Sequence, residues 1–128
     1  MLFPDQRNDD DWREVLSQEQ FRILRGGGCE RPFSGEHIES KGPGVYRCVA
    51  CGQDLFTAED KMESDCGWPA FAVAAAADRV ILREDHHPDY PGVEVLCSRC
   101  GGHLGHVFDE EVGQRFCINS VCLEFRPG

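Results

Sequence analysis

GVYRCVACG occupies residues 44–52, and VEVLCSRCG repeats its spacing at residues 93–101. Each stretch is a short apolar run, read as a strand, that closes on a CxxCG knuckle. Two intervening residues let both thiolates of a knuckle turn toward one ion. The glycine that follows, Gly52 or Gly101, can take a positive φ, so backbone amides can point at the sulfurs. Cys48, Cys51, Cys97 and Cys100 together favour one tetrahedral Zn2+. Two disulfides or two redox motifs are the alternatives, but redox CxxC motifs open helices and these close strands. A four-cysteine site keeps no open coordination position, so the zinc is expected to be structural. The 45 residues between the knuckles exceed the usual zinc-ribbon gap of about 15–20. The metal is therefore expected to pin together two ends of a larger sheet.

Outward from the knuckles, turn signals recur at Gly42-Pro43-Gly44, Gly67, Pro69, Pro88, Pro91-Gly92, Gly101-Gly102, Gly105 and Gly113. The segments between them predict strands at Gly44–Cys48, Phe71–Val73, Arg79–Arg83, Val93–Cys97, His103–Phe108 and Arg115–Phe125. Short strands at close spacing point to a mainly β fold, with antiparallel sheets in a sandwich or barrel-like core. No segment after residue 26 has helical periodicity. Before it, Asp11 with Glu14 and Ser17 with Gln20 read as two capping boxes, each followed by apolar residues. They predict two short helices lying over the core and ended by Gly26-Gly27-Gly28.

A chain of 128 residues fits one domain at about 150 residues each. It divides into a helical arm, 1–28, and a β-rich core, 29–128. The net charge of −10 argues against a nucleic-acid binder, which needs a basic stripe. No apolar run approaches the roughly 18 residues of a membrane helix. The start, MLFPDQRNDDDW, has neither the basic nor the apolar region of a signal peptide. Eight cysteines are an even count, which raises a secreted disulfide scaffold. The CxxC pairing, the length and the lack of an export signal favour a reducing compartment instead, hence a cytoplasmic protein. A monomer is the default expectation.

Four cysteines lie outside the knuckles: Cys29, Cys66, Cys117 and Cys122. A free cysteine is most often a small buried hydrophobe. In RFCINS, strand alternation puts Arg115, Cys117 and Asn119 on one face and Phe116, Ile118, Ser120 and Cys122 on the other. A thiol flanked by a cation and an amide suits reactivity, because nearby positive charge raises the thiolate fraction. Cys122, beside Ile118, reads as a core residue. Cys66 sits in the turn SDCGWPAF, where Trp68 is either a core anchor or a pocket wall. His103 and His106, in HLGHVF, have opposite strand parity. They can act together only if the strand bulges between them, which Gly105 allows. His86-His87, before Pro88, reads as an exposed loop without a function.

GVYRCVACG, DCGWPAF, CSRCGGHLGHVFD and RFCINS occur here in the order found in the B-type methionine-R-sulfoxide reductases. Residues 12 to 126 resemble that family, ERPFSGEH at residues 30–37 included. The resemblance implies a β-rich fold with N-terminal helices, a zinc held by Cys48, Cys51, Cys97 and Cys100, and reduction of methionine-R-sulfoxide, free or in proteins. It implies Cys117 as catalytic cysteine, Cys66 as resolving cysteine, and thioredoxin as reductant. It places His103, His106 and Asn119 in the catalytic machinery, and Trp68, Phe108 and Arg115 against substrate. Three departures stand out. The Asp109–Gln114 loop is shorter than the usual DGPxPTGL-like segment, which bears on substrate preference. Cys29 replaces the usual Thr and is a second possible resolver. Asp65 replaces the more usual Gly.

Two other readings compete. One is a zinc-knuckle module that binds a protein and leaves Cys117 inert. The other is a zinc hydrolase with His103 and His106 as ligands, which the four-thiolate set makes unnecessary.

Overall fold

The computed structural model describes residues 4–5, 7–28, 42–62, 67–85, 92–110 and 113–127. Two helices open the chain, α1 (Asp9–Val15) and α2 (Gln18–Leu24). Strands follow: β1 (Gly44–Cys48), β2 (Asp54–Thr57), β3 (Lys61–Met62), β4 (Ala70–Phe71), β5 (Val80–Asp85), β6 (Gly92–Cys97), β7 (His103–Glu110), β8 (Gly113–Ile118) and β9 (Leu123–Pro127). The pairings are antiparallel throughout. They form a three-stranded sheet, β2-β1-β9, and a six-stranded sheet, β3-β4-β8-β7-β6-β5.

The mainly β expectation holds, and helical turns after residue 28 are three-residue 3-10 pieces among the described residues. The second capping box is as expected, with Ser17 and Gln20 each bonding the other's backbone N–H. The first begins earlier. Asn8 caps α1, and Asp11 is the reciprocal partner rather than the cap. Three consecutive acids, Asp9 to Asp11, then sit in the first turn, where the helix dipole favours negative charge.

The expected strand Arg115–Phe125 is broken. β8 stops at Ile118, a 3-10 turn spans Ser120–Cys122, and β9 leaves for the other sheet. β2 escapes alternation because Leu55 and Phe56 are both fully buried. The Asp109–Gln114 loop is instead mostly strand, with Asp109 paired to Gln114 and Glu110 to Gly113.

Aromatic rings join the two sheets. Phe56 of β2 stacks on Phe71 of β4 at 4.4 Å, and Tyr46 of β1 meets Phe71 edge-on at 5.1 Å. Phe56 also lies 5.8 Å from Phe116 of β8. Such pairs add to what ring burial contributes, by about 1 kcal/mol each. The helices are part of this core rather than a cover on it: Trp12, Ile23 and Leu24 are buried in the same cluster. Two guanidinium groups pack on Trp12, Arg7 at 3.9 Å and Arg25 at 5.3 Å from the ring centre.

Candidate active site and metal centre

Each knuckle forms where a strand of one sheet ends. Cys48 closes β1 and Cys97 closes β6, so the two sheets meet at four sulfurs. After each pair the chain turns through a glycine with positive φ, 81° at Gly52 and 76° at Gly101. Their amides close the turns on the carbonyls of Cys48 and Cys97, both at 2.8 Å. The four Sγ atoms all lie within 4.8 Å of one another, and three of the four residues are buried. Cys48 and Cys100 approach to 3.8 Å, and Cys51 and Cys97 to 3.5 Å. A tetrahedral zinc with bonds of about 2.3 Å separates its sulfurs by about 3.8 Å, so the cage fits that ion. Hydrogen bonds from Cys100 and then Cys48 hold the Cys51 and Cys97 thiols below the ordinary thiol range, while the same cluster pushes Cys48 and Cys100 above it.

The N-terminal arm closes over both knuckles. Asp5 donates its N–H to the Arg99 carbonyl at 2.8 Å, and Arg25 donates to the Cys100 carbonyl at 2.9 Å. Arg7 reaches the Ala50 carbonyl at 3.5 Å. Its guanidinium also grips Asp5 at 2.6 Å, which holds that carboxyl below its usual range. The arm thus sets positive charge beside the four-sulfur cluster.

A second constellation crosses the large sheet. Arg83 on β5 pairs with Glu94 on β6, Glu94 with His106 on β7, His106 with Cys117 on β8, and Cys117 with Ala70 on β4. Residues directly opposite in a sheet share a face. This row therefore presents one face, while Val93, Val107, Phe116 and Phe71 form the row on the core face. Phe108 and Arg115, also partners, lie two residues along on the face of Cys117. The Arg115 guanidinium sits 5.6 Å from the Phe108 ring centre.

His103 joins this face through a slip in register. Val95 pairs with Gly105, but Leu96 pairs with His103, so Leu104 is the extra residue. One extra residue reverses the parity between His103 and His106. Their rings then meet edge to face at 5.4 Å. The bulge expected from Gly105 is present, for a reason beyond bending. A Cβ at Gly105 would stand 2.1 Å from the Cys117 carbonyl oxygen. Only a glycine lets β7 and β8 pack this closely.

Cys117 is 7% exposed, His103 4%, His106 8% and Glu94 8%. Asn119 lies one residue past the end of β8. Its backbone N–H and its Nδ2 both donate to the carbonyl of Leu104, at 2.9 and 3.0 Å. Cys122 is fully buried in the core and its thiol points to the His103 carbonyl at 3.4 Å. Trp68, half-buried, stands two residues before Ala70, the partner of Cys117. The described cysteines are free thiols. Cys29, Cys66, Asp65 and His86-His87 lie outside the described residues.

Sequence reasoning passed over Glu94 and Arg83. The Glu94 carboxylate accepts from His103 Nδ1 at 2.6 Å and from Arg83 Nε at 2.9 Å. In VEVLC a glutamate between valines reads as an ordinary solvent-facing strand residue. Only its partner across the bulge marks it as something else.

The SelR domain matches residues 16–127. The chain belongs to the SelR-domain family. Among curated relatives of this SelR protein is the peptide methionine sulfoxide reductase MsrB of Methanosarcina mazei, 50% identical over 123 residues, covering 94% of this chain and 88% of the relative. The protein of the same name from Hahella chejuensis is 46% identical, covering 93% of this chain and 88% of its own length. Peptide methionine sulfoxide reductase B5 of Oryza sativa subsp. japonica is 46% identical over 127 residues, covering 95% and 91%. Among solved structures, the Mis18 'Yippee-like' domain superposes on this SelR domain with a TM-score of 0.55 at 16% identity, covering 67% of this chain and 97% of that one. That likeness is one of fold alone. No helix among the described residues is long and apolar enough to cross a membrane.

Proposed function

We propose that this SelR domain reduces methionine-R-sulfoxide, in proteins or free, to methionine, with Cys117 as the nucleophile. One observation carries the residue assignment: a buried thiol stands at the same register as His106, on the face that the bulge also gives to His103. The relatives named as peptide methionine sulfoxide reductases support the reaction class.

A sulfoxide carries a polar oxygen and an apolar methyl on one sulfur, and a site that treats them differently selects one epimer. Trp68 packs on the methyl side, where sulfur-linked groups and aromatics attract modestly. His103 and His106 donate to the oxygen, directly or through water. Phe108 and Arg115, paired two residues along on the Cys117 face, are the side chains assigned to the substrate. Asn119 holds the bulge that aims the two histidines.

The Cys117 thiolate bonds to the sulfoxide sulfur while the oxygen takes a proton. Collapse breaks the substrate S–O bond and the new S–S bond, forms a bond from that oxygen to the Cys117 sulfur, releases methionine and leaves Cys117 as a sulfenic acid. The substrate sulfur is reduced by the same electron pair that Cys117 loses. The Cys66 thiol then condenses with the sulfenic acid, forming a disulfide and water. A reduced dithiol protein of the thioredoxin type returns both cysteines to thiols by exchange. Cys48, Cys51, Cys97 and Cys100 hold a zinc whose contribution is to the fold, since four sulfurs leave it no open position.

The test is an epimer-resolved assay. Zinc-loaded protein is given R- or S-methionine sulfoxide with dithiothreitol, and methionine is measured. Turnover of the R epimer alone is expected. No turnover of either by folded protein overturns the proposal in favour of a zinc-knuckle binding module.

A further inference from the structure

Glu94 sits on β6, outside the catalytic set, yet its carboxylate is shared between a guanidinium and an imidazole. Oε1 faces the Arg83 guanidinium, and Oε2 lies 2.6 Å from His103 Nδ1. The histidine and the glutamate are both nearly excluded from water, whereas the Arg83 side chain is 65% exposed. Across β5, β6 and β7 the arrangement runs from solvent to the histidine pair.

We propose that Glu94 is a positioning residue of the reductase step, acting through His103. This rests on the functional reading given above. An ionised carboxylate accepts only, so Nδ1 must carry the hydrogen in the Glu94–His103 bond. That fixes one tautomer of the neutral ring and leaves Nε2 as the nitrogen able to gain and pass on a proton. The carboxylate also favours the imidazolium form by its charge. His103 is thereby kept loaded as an acid for the sulfoxide oxygen. Arg83 occupies the other carboxylate oxygen and keeps the group aimed.

The remaining charged or titratable groups around His103, among the described residues, are His106 on β7, Arg115 and Cys117 on β8, and the Cys122 thiol, which faces the His103 carbonyl at 3.4 Å. Arg115 is cationic and opposes the protonated histidines, so Glu94 is the one carboxylate in that described set. The histidine pair itself is mutually repulsive when both rings are charged, at 5.4 Å between centroids.

The experiment uses zinc-loaded protein and two readouts. Nitrogen-15 NMR of the wild-type histidine side chains reports the His103 tautomer, and Nδ1–H is expected. Single-turnover methionine formation from R-methionine sulfoxide is then followed against pH in wild type, Glu94→Gln and Glu94→Asp. The glutamine can still accept from Nδ1 but has no charge. It is expected to slow the step by about 100-fold at neutral pH and to move the alkaline limb of the profile down by about one unit or more. The aspartate is expected to restore the limb toward its wild-type position. An Nε2–H tautomer in wild type overturns the proposal. So does a Glu94→Gln profile that coincides with the wild-type one. Absence of turnover in wild type defeats the functional reading instead, and the tautomer still decides what Glu94 does. Should Glu94→Gln not fold, the wild-type spectrum alone decides between the two tautomers.

Discussion

Asn119 donates twice to the carbonyl of Leu104, once from its backbone at 2.9 Å and once from its side chain at 3.0 Å. Leu104 is the inserted residue of the β7 bulge, so this pair of bonds ties the slip in register to the end of β8. The side-chain bond is the one a substitution can remove. Asn119→Ala is expected to cost about 1–2 kcal/mol of stability, since a buried bond is lost while the carbonyl keeps its backbone donor. Activity should fall by more than stability explains, because the spacing of His103 and His106 depends on the bulge. Denaturant unfolding and turnover of R-methionine sulfoxide on the same protein separate the two losses. A variant with reduced stability and unchanged turnover would detach Asn119 from the site.

Gly105→Ala is expected to be among the most damaging single-methyl additions to the sheet. The new Cβ would stand 2.1 Å from the Cys117 carbonyl oxygen and 2.9 Å from the Ile118 Cα. Both are backbone atoms and cannot swing away. The β7–β8 pairing must shift, at a cost of about 3 kcal/mol or more. Thermal unfolding would record it, together with a loss of turnover as Cys117 moves off the row of His106.

Cys117→Ser is expected to abolish turnover with the metal content unchanged. Cys117 on β8 and the four-sulfur cage lie on separate parts of the fold. Cys66→Ser should still form one equivalent of methionine per protein and then recycle slowly with thioredoxin. If its recycling is unimpaired, Cys29 becomes the resolving cysteine. Quench-flow product counting with metal analysis covers both variants.

Cys97→Ala is expected to lose the metal and most of the folded protein. Zinc bound by four thiolates contributes on the order of 10 kcal/mol to the folded state, comparable with the stability of a whole domain. Here the four sulfurs join the ends of β1 and β6, which belong to different sheets. Circular dichroism of the purified variant tests this, and a soluble, folded, metal-free protein would refute it.

Much of the design was open to inspection in the amino-acid order. The two knuckles announce themselves because metal spacing is local, and Ser17 with Gln20 marks a helix start within four residues. β1 is found residue for residue, since GVYRC is bounded by glycine before and by the knuckle after. Other features depend on partners far along the chain. β2 has two consecutive buried residues, Leu55 and Phe56, because both of its faces are covered, and alternation is then silent. The Asp11 side chain can cap or be the reciprocal partner, and Asn8 takes the cap by lying one turn earlier. Gly105 hinted that β7 could bulge, but not that Leu104 would be the inserted residue. The slip is visible only against β6. Glu94 was hidden for the same reason, its meaning supplied by His103 nine residues away.

The bulge divides this chain into places where length is negotiable and one where it is not. Between Glu110 and Gly113 a hairpin can gain or lose residues at its tip while the ladder behind it stays in step. Between His103 and His106 the count of residues is itself the information. Deleting Leu104 would give β7 an unbroken ladder with His103 still on the side of His106, but it would remove the carbonyl that accepts both Asn119 bonds, so the more regular protein would lose the tie between β7 and the end of β8. Lineages carrying this domain are therefore expected to vary freely in the hairpin and to admit neither insertion nor deletion within HLGH.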